Sequence, residues 1–151
     1  MKTHKYESIK RNINLVLYRI MKMDMDFLSL DFIYVPAKNF EAMLKHYIND
    51  LGGELIWKVK AMGTIVAQVK ISENGPAILL AEHLEGKVPI LIYRVKNFKQ
   101  TLAKLKAKGI KGRELEIPHG SCFSFELSGQ RLAIYELVRP EANRMFKGRK
   151  D

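Results

Sequence analysis

LSLDFIYVPAKNF (residues 28–40) and VPILIYRVKNF (residues 88–98) are the two stretches on which the fold turns. Each is an apolar run closed by the same three residues: Lys38-Asn39-Phe40 returns as Lys96-Asn97-Phe98 at an offset of 58. Apolar runs bounded by turn signals read as strands, and the segment after each reads as a helix. After the first run, Phe40, Met43, Leu44, Tyr47, Ile48 and Leu51 recur at helical spacing and form one stripe. Asn39 is placed to cap that helix by accepting a free backbone N–H from its first turn, and Gly52-Gly53 to stop it. The second copy repeats the plan, with Asn97 as cap, Phe98, Leu102 and Leu105 on the stripe, and Gly109 as stop. Its outer face carries Lys99, Lys104, Lys106 and Lys108, a solvated ladder.

Beyond each helix lie three short strand-like runs. They are 54–60, 62–70 and 76–83 in the first half, and 113–117, 121–127 and 131–138 in the second. Gly63, Asn74-Gly75, Gly120 and Ser128-Gly129 punctuate them. Gly75 matches Gly129 at an offset of 54, so the closing strands correspond as the opening ones do. Each half therefore reads strand, helix, strand, strand, strand, and the chain is an internal repeat.

Composition sets the bounds around this repeat. With 151 residues and 47% hydrophobic content there is material for a real core, which excludes a largely disordered chain. One cysteine, Cys122, excludes a disulfide framework and a cysteine-built zinc site. No apolar run has the length of a membrane span and no signal-peptide pattern opens the chain, so a cytoplasmic location is expected. The net charge of +10 is concentrated at the ends. Residues 1–26 hold six Lys/Arg against three acids and residues 139–151 five against two, a joint excess of +6. The 112 residues between them carry 15 basic and 11 acidic side chains, only +4, so nucleic-acid binding is not the expected role of the domain. Lysine richness with only three glutamines is the composition of a heat-adapted protein.

Two tandem βαβββ modules resemble the vicinal oxygen chelate superfamily, which includes the glyoxalase, bleomycin-resistance and extradiol dioxygenase proteins. The resemblance covers roughly residues 28–138. It rests on Leu30-Asp31-Phe32-Ile33 with Asn39-Phe40 downstream, on Tyr47-Ile48-Asn49-Asp50-Leu51-Gly52-Gly53, and on Ser128-Gly129-Gln130-Arg131-Leu132. It implies an α+β fold in which the modules, 28–85 and 86–138, form a curled mixed sheet around a central cleft. Residues 1–27 are then a basic amphipathic extension and 139–151 a basic, frayed tail. In metal-using members, four ligands stand on the first and last strands of the modules. The resemblance puts those positions at Phe32, Leu79, Ile90 and Ala133, and none of these side chains has a lone pair for a divalent cation. No metal and no cofactor are expected.

Strand alternation sorts the remaining residues by face. Phe32 and Tyr34, Ala77, Leu79, Ala81 and His83, Ile90, Ile92 and Arg94, and Arg131, Ala133 and Tyr135 share the cleft parity. Residues Ile33, Val35, Ile78, Leu80, Leu91, Tyr93, Val95, Leu132 and Ile134 share the opposite, helix-covered parity. The candidate ligand-binding set is Phe32, Tyr34, Leu79, His83, Ile90, Arg94, Arg131, Ala133 and Tyr135: an apolar floor with polar anchors, the composition of a small-molecule pocket. The competing reading is that the cleft has collapsed into a second core. Elsewhere the chemistry is thin. His4, His46, His83 and His119 are scattered, with His46 read as solvated and His119 as a turn residue. Glu82 and Glu136 read as strand-end carboxylates, Glu126 could face the cleft, and Cys122 reads as a small buried hydrophobe.

The expected function is metal-independent binding of a small molecule, a partly apolar anion met by Arg94 and Arg131, without catalysis. Two alternatives stand beside it. One is a lyase, isomerase or dioxygenase of the superfamily with a displaced metal site, and the other an interaction or nucleic-acid-associated protein using the basic ends. Ile9, Ile13, Val16, Leu17 and Ile20 fit a helical stripe in the extension, which favours a homodimer burying that stripe. The Met21, Met23 and Met25 cluster also allows a later natural start.

Overall fold

Strand pairing turns the repeat into a symmetry. The computed structural model describes residues 2–23, 25–61 and 63–151, without the side chains of residues 20–23 and 61. Ile20, Met21 and Met23 therefore lie outside the described side chains. A helix α1 (Lys2–Met23) precedes the first module, which runs β1 (Phe27–Pro36), α2 (Phe40–Lys45), β2 (Glu54–Ala61), β3 (Thr64–Lys70) and β4 (Ala77–Ala81). The second runs β5 (Ile90–Val95), α3 (Phe98–Ala107), β6 (Gly112–Ile117), β7 (Gly120–Leu127) and β8 (Gln130–Tyr135). All eight strands form one curled, unclosed sheet in the order β2-β3-β4-β1-β5-β8-β7-β6.

The registers repeat the sequence offsets. Phe32 pairs with Ile92 and Tyr34 with Ile90 across the antiparallel β1–β5 seam, two pairs that exchange when 58 is added to the β1 residue and subtracted from the β5 one. Phe32 lies beside Ala77 in the parallel β1–β4 pair as Ile90 lies beside Arg131 in β5–β8. Val66 faces Ala81 as Cys122 faces Tyr135. A shared register is a far stricter test of a repeat than a shared tripeptide, because a one-residue slip would send every side chain to the wrong face.

Both helices cover the face that alternation assigned to them. Phe40, Leu44, Ala67, Val69 and Leu80 are buried together beneath α2, with Val35 and Ile78 packed against them. Val95, Leu102, Leu105, Phe123, Phe125 and Ile134 form the matching cluster beneath α3. The caps are not equivalent. Asn97 Oδ1 accepts from Gln100 N at 3.1 Å as expected, whereas Asn39 makes no side-chain cap bond. The helix that starts at Phe40 also widens into a π-helical turn over His46–Asp50 before Gly52, at φ +69°, ends it.

No described helix is long and apolar enough to cross a membrane. Ile9, Ile13, Val16 and Leu17 on α1 are each about half exposed, so the stripe is not packed into the domain. The C-terminal segment differs most from expectation. Instead of fraying, it forms a short 3-10 helix over Pro140–Arg144 and then returns to the edge strand β2. There Lys58 N donates to Arg149 O at 2.7 Å and Asp151 N donates to Lys58 O at 3.0 Å. β2 and β6 are the two edges of the open sheet, and this strap joins the side of one to the other.

Candidate functional site

The concave face holds both of the things that sequence offered as alternatives. Towards β5, β7 and β8 it is filled: Ile90, Cys122, Ala133 and Tyr135 form a buried cluster with Phe32, Tyr34 and Ile92 packed against it. Burial pushes the Cys122 thiol up to about 11, in keeping with an inert core cysteine. Over the rest of the face lies a cavity of about 750 Å³. Phe32, Tyr34, Leu79, His83, Arg94 and Tyr135 of the expected set line it.

Three expected members do not line it. Ile90 and Ala133 belong to the filled part. Arg131 is turned away: its Nη1 donates to the Glu85 and Val88 carbonyls at 2.6 and 3.1 Å and holds the loop between the modules. Glu126 is exposed and also lies outside the lining. The two-arginine basis for an anionic ligand is therefore reduced to one arginine, and that one is already paired.

Arg94 Nε lies 3.2 Å from Asp31 Oδ2. Ser29 Oγ donates to Asp31 Oδ1 at 2.6 Å, the Tyr135 hydroxyl donates to Asp31 Oδ2, and Arg94 Nη2 donates to Ser29 Oγ at 3.3 Å. Strict alternation sends Asp31 to the helix side, opposite Phe32. A bulge prevents this: Leu30 pairs with Tyr93 and Phe32 with Ile92, so Asp31 is an extra residue on its strand and turns into the cavity. The same device acts in β2, where Leu55 pairs with Val69 but Trp57 with Gln68. That shift brings Trp57 to the cavity, with its indole N–H donating to Gln68 Oε1 at 2.8 Å.

His119 is a turn residue, as the sequence suggested, but the turn puts it in the site. It sits in the β6–β7 turn, yet its ring lines the cavity, with its centroid 5.2 Å from that of Phe32 and 5.8 Å from that of Tyr135. Gly120, at φ +154°, lets this turn press on the chain after β8, since a Cβ there would stand 2.5 Å from Glu136 O. The turn also roots the strap: Val138 N and Arg139 N both donate to His119 O, and Arg139 bonds the Pro118 and Ile117 carbonyls. His119 Nε2 lies 3.0 Å from Asn143 Oδ1 on the strap. An amide oxygen only accepts, so in this orientation the neutral ring carries its proton on Nε2. Desolvation holds the His119 pKa below the ordinary histidine value, opposed by the Asn143 bond and the Asp31 charge and aided by the Arg139 charge. At the other end of the cavity His83 takes a second polar group, with Nε2 3.2 Å from the Tyr34 hydroxyl and Nδ1 3.0 Å from Thr64 Oγ1. His46 is exposed beside Asp50 on α2's continuation and has no part in the site.

The donor set does not suit the metal of metal-using members. Phe32 and Leu79 present carbon to the cavity and Ile90 and Ala133 lie in the core. Among the described residues no three His, Cys, Asp or Glu side chains come together to hold a metal ion.

The fold is that of the vicinal oxygen chelate superfamily: paired βαβββ modules on one curled sheet with the cleft on its concave face. No family model and no curated protein matches the sequence. Among solved structures, methylmalonyl-CoA epimerase from Mycobacterium tuberculosis is similar with a TM-score of 0.62 at 14% identity, over 78% of this chain and 93% of the epimerase. A hypothetical protein from Bacillus halodurans C-125 gives 0.60 at 17%, over 74% of this chain and 95% of that one. A mutant homoprotocatechuate 2,3-dioxygenase from Brevibacterium fuscum gives 0.57 at 12%, with 76% of this chain matching 33% of the larger enzyme. At such identities the likeness carries the fold and no activity.

Proposed function

We propose that the protein binds a small, mainly apolar molecule in this cavity without a divalent metal, and that the ligand's polar end is an acceptor oxygen, either a carbonyl or a carboxylate. The observation that carries the reading is the lining itself: it is mainly apolar, with Phe32, Leu79, Val66 and Ile92 in the wall and a small number of polar side chains, Asp31, Arg94, Tyr34, His83 and Gln68 among them. Asp31 cancels the charge of Arg94, and the guanidinium fork still has N–H groups beyond those used on Asp31 and Ser29. Those donors favour an acceptor over a cation and no longer require a full anion. The homodimer expected from the exposed stripe of α1 belongs to the same proposal.

The neutral fluorophore N-phenyl-1-naphthylamine tests it. One molecule is expected to bind per chain, with the same affinity before and after EDTA. Ala77→Phe, which fills the floor beside Phe32, should abolish binding while the melting temperature shows the domain still folded. Binding that needs a stoichiometric divalent ion, or that survives Ala77→Phe, overturns the reading.

A further inference from the structure

We propose that the corner between Trp57 and the C-terminal strap is a subsite for a flat aromatic ring, and that docking of the strap is coupled to filling it. The proposal rests on the binding reading above and names the ligand's apolar end. Trp57 is the chain's single tryptophan, and its indole N–H is already committed to Gln68, which fixes the ring and leaves its face as the contact surface. Phe146 of the strap lies with its centroid 5.1 Å from that of Trp57 and its plane tilted by 55°. Two aromatic faces inclined at this angle form an open wedge rather than a closed stack, and a third ring completes it with offset or edge contacts. Both rings are only half-buried, so each retains surface to contribute. Val59 and Val66 of the neighbouring strands and Met145, beside Phe146 in the chain, line the same cavity, the last with a polarisable thioether.

The strap is held at two places, and the wedge lies on the span between them. Its root is the His119 carbonyl in the second module, and its tip is the two-bond bridge to Lys58 in the first. Arg149, whose carbonyl accepts one of the two bridge bonds, stands 5.7 Å from the Phe146 ring centroid and covers that ring from the tip side. Among the described residues no backbone pairing other than this bridge ties the tip to the sheet, so its docking rests on the aromatic contact and a few bonds. A ligand that touches both Trp57 and Phe146 binds the docked strap better than the undocked one, and must therefore stabilise docking. An acceptor oxygen at Arg94 and a ring at Trp57 then define the two ends of one elongated molecule.

N-phenyl-1-naphthylamine is again the probe, with 1-octanol as an aliphatic competitor. Phe146→Ala is expected to weaken the naphthylamine about tenfold, the scale of one lost aromatic contact, and to weaken octanol about twofold or less. In the unaltered chain, the naphthylamine should slow hydrogen exchange at the Lys58 and Asp151 amides, the two donors of the bridge. Arg149→Ala provides a second variant that leaves the cavity wall intact, and it should weaken the naphthylamine in proportion to the protection it removes from those amides. If the unaltered chain binds the probe but Phe146→Ala binds it equally well, or if both amides exchange at the same rate with and without it, the subsite is overturned and the binding reading stands. If the unaltered chain binds no probe at all, both fall.

Discussion

The two modules share a backbone plan and divide the chemistry unequally. Leu80 of β4 and Ile134 of β8 occupy matching positions, and each is fully buried beneath its own module's helix. The cavity side shows no such match. The cluster of Asp31, Arg94 and Tyr135 corresponds, through the offsets of 58 and 54, to Pro89, Pro36 and Ala81, none of which has a hydrogen-bonding side chain. The Tyr34–His83 pair corresponds in turn to Ile92 and Leu137. Duplicated positions have kept the residues that build the sheet's helix-covered face, because both helices need the same apolar support. Positions lining the cavity have diverged, and the result is a cleft with two different ends. A cleft of that kind can hold an unsymmetrical ligand in one orientation only.

Equal truncations in the two cores test the shared half of that contrast and give the largest effect. Leu80→Ala and Ile134→Ala should each cost about 2–5 kcal/mol in urea unfolding, because both leave a cavity in a fully buried site. Values that differ by more than about 2 kcal/mol would mean that the modules are not equally supported.

The unequal half is tested by Asp31 against its counterpart. Asp31→Ala takes the carboxylate from the Arg94 guanidinium, which keeps only Ser29, and leaves the hydroxyl of the buried Tyr135 without its acceptor, and should cost about 2–3 kcal/mol. Pro89→Ala removes no hydrogen bond and should stay within about 1 kcal/mol, arising chiefly from the unfolded chain. Tyr135→Phe removes one partner while Asp31 keeps Ser29 and Arg94, and about 1 kcal/mol is expected. Equal costs for Asp31→Ala and Pro89→Ala would erase the polar end as a structural feature.

The smallest effect is one of pH and concerns His119. Its folded pKa is depressed, so the unfolded state takes up more protons as pH falls. Stability is then greatest above the unfolded imidazole value of about 6.5 and is lost as pH drops through the folded value below it. Between pH 7.5 and 5, the melting temperature of the unaltered protein should fall further than that of His119→Gln. An identical fall in both proteins would take His119 out of the desolvated cavity wall.

Sequence alone determined the fold of this protein to a degree its short motifs would not suggest. Lys-Asn-Phe at one offset and the paired glycines at another predicted element order and sheet face together. This worked because side-chain period along a regular strand is fixed at two, so a correct register places every residue at once. Leu79 and Tyr34 reached the cavity by that rule. The same rule could not place Asp31 and Trp57, each of which reaches the cavity through one inserted residue in its strand. A bulge has no distinct composition, because it is set by how two strands settle against each other, and an unpaired count is invisible before pairing exists. His119 and Phe146 were missed for a related reason: a turn and a terminal segment have no period from which to infer a face. Their positions are set by tertiary contacts, the closeness that Gly120 permits and the bridge to Lys58. Regular pairing made the scaffold legible in the sequence, and departures from it, decided only in the folded chain, brought Asp31, Trp57, His119 and Phe146 to the cavity.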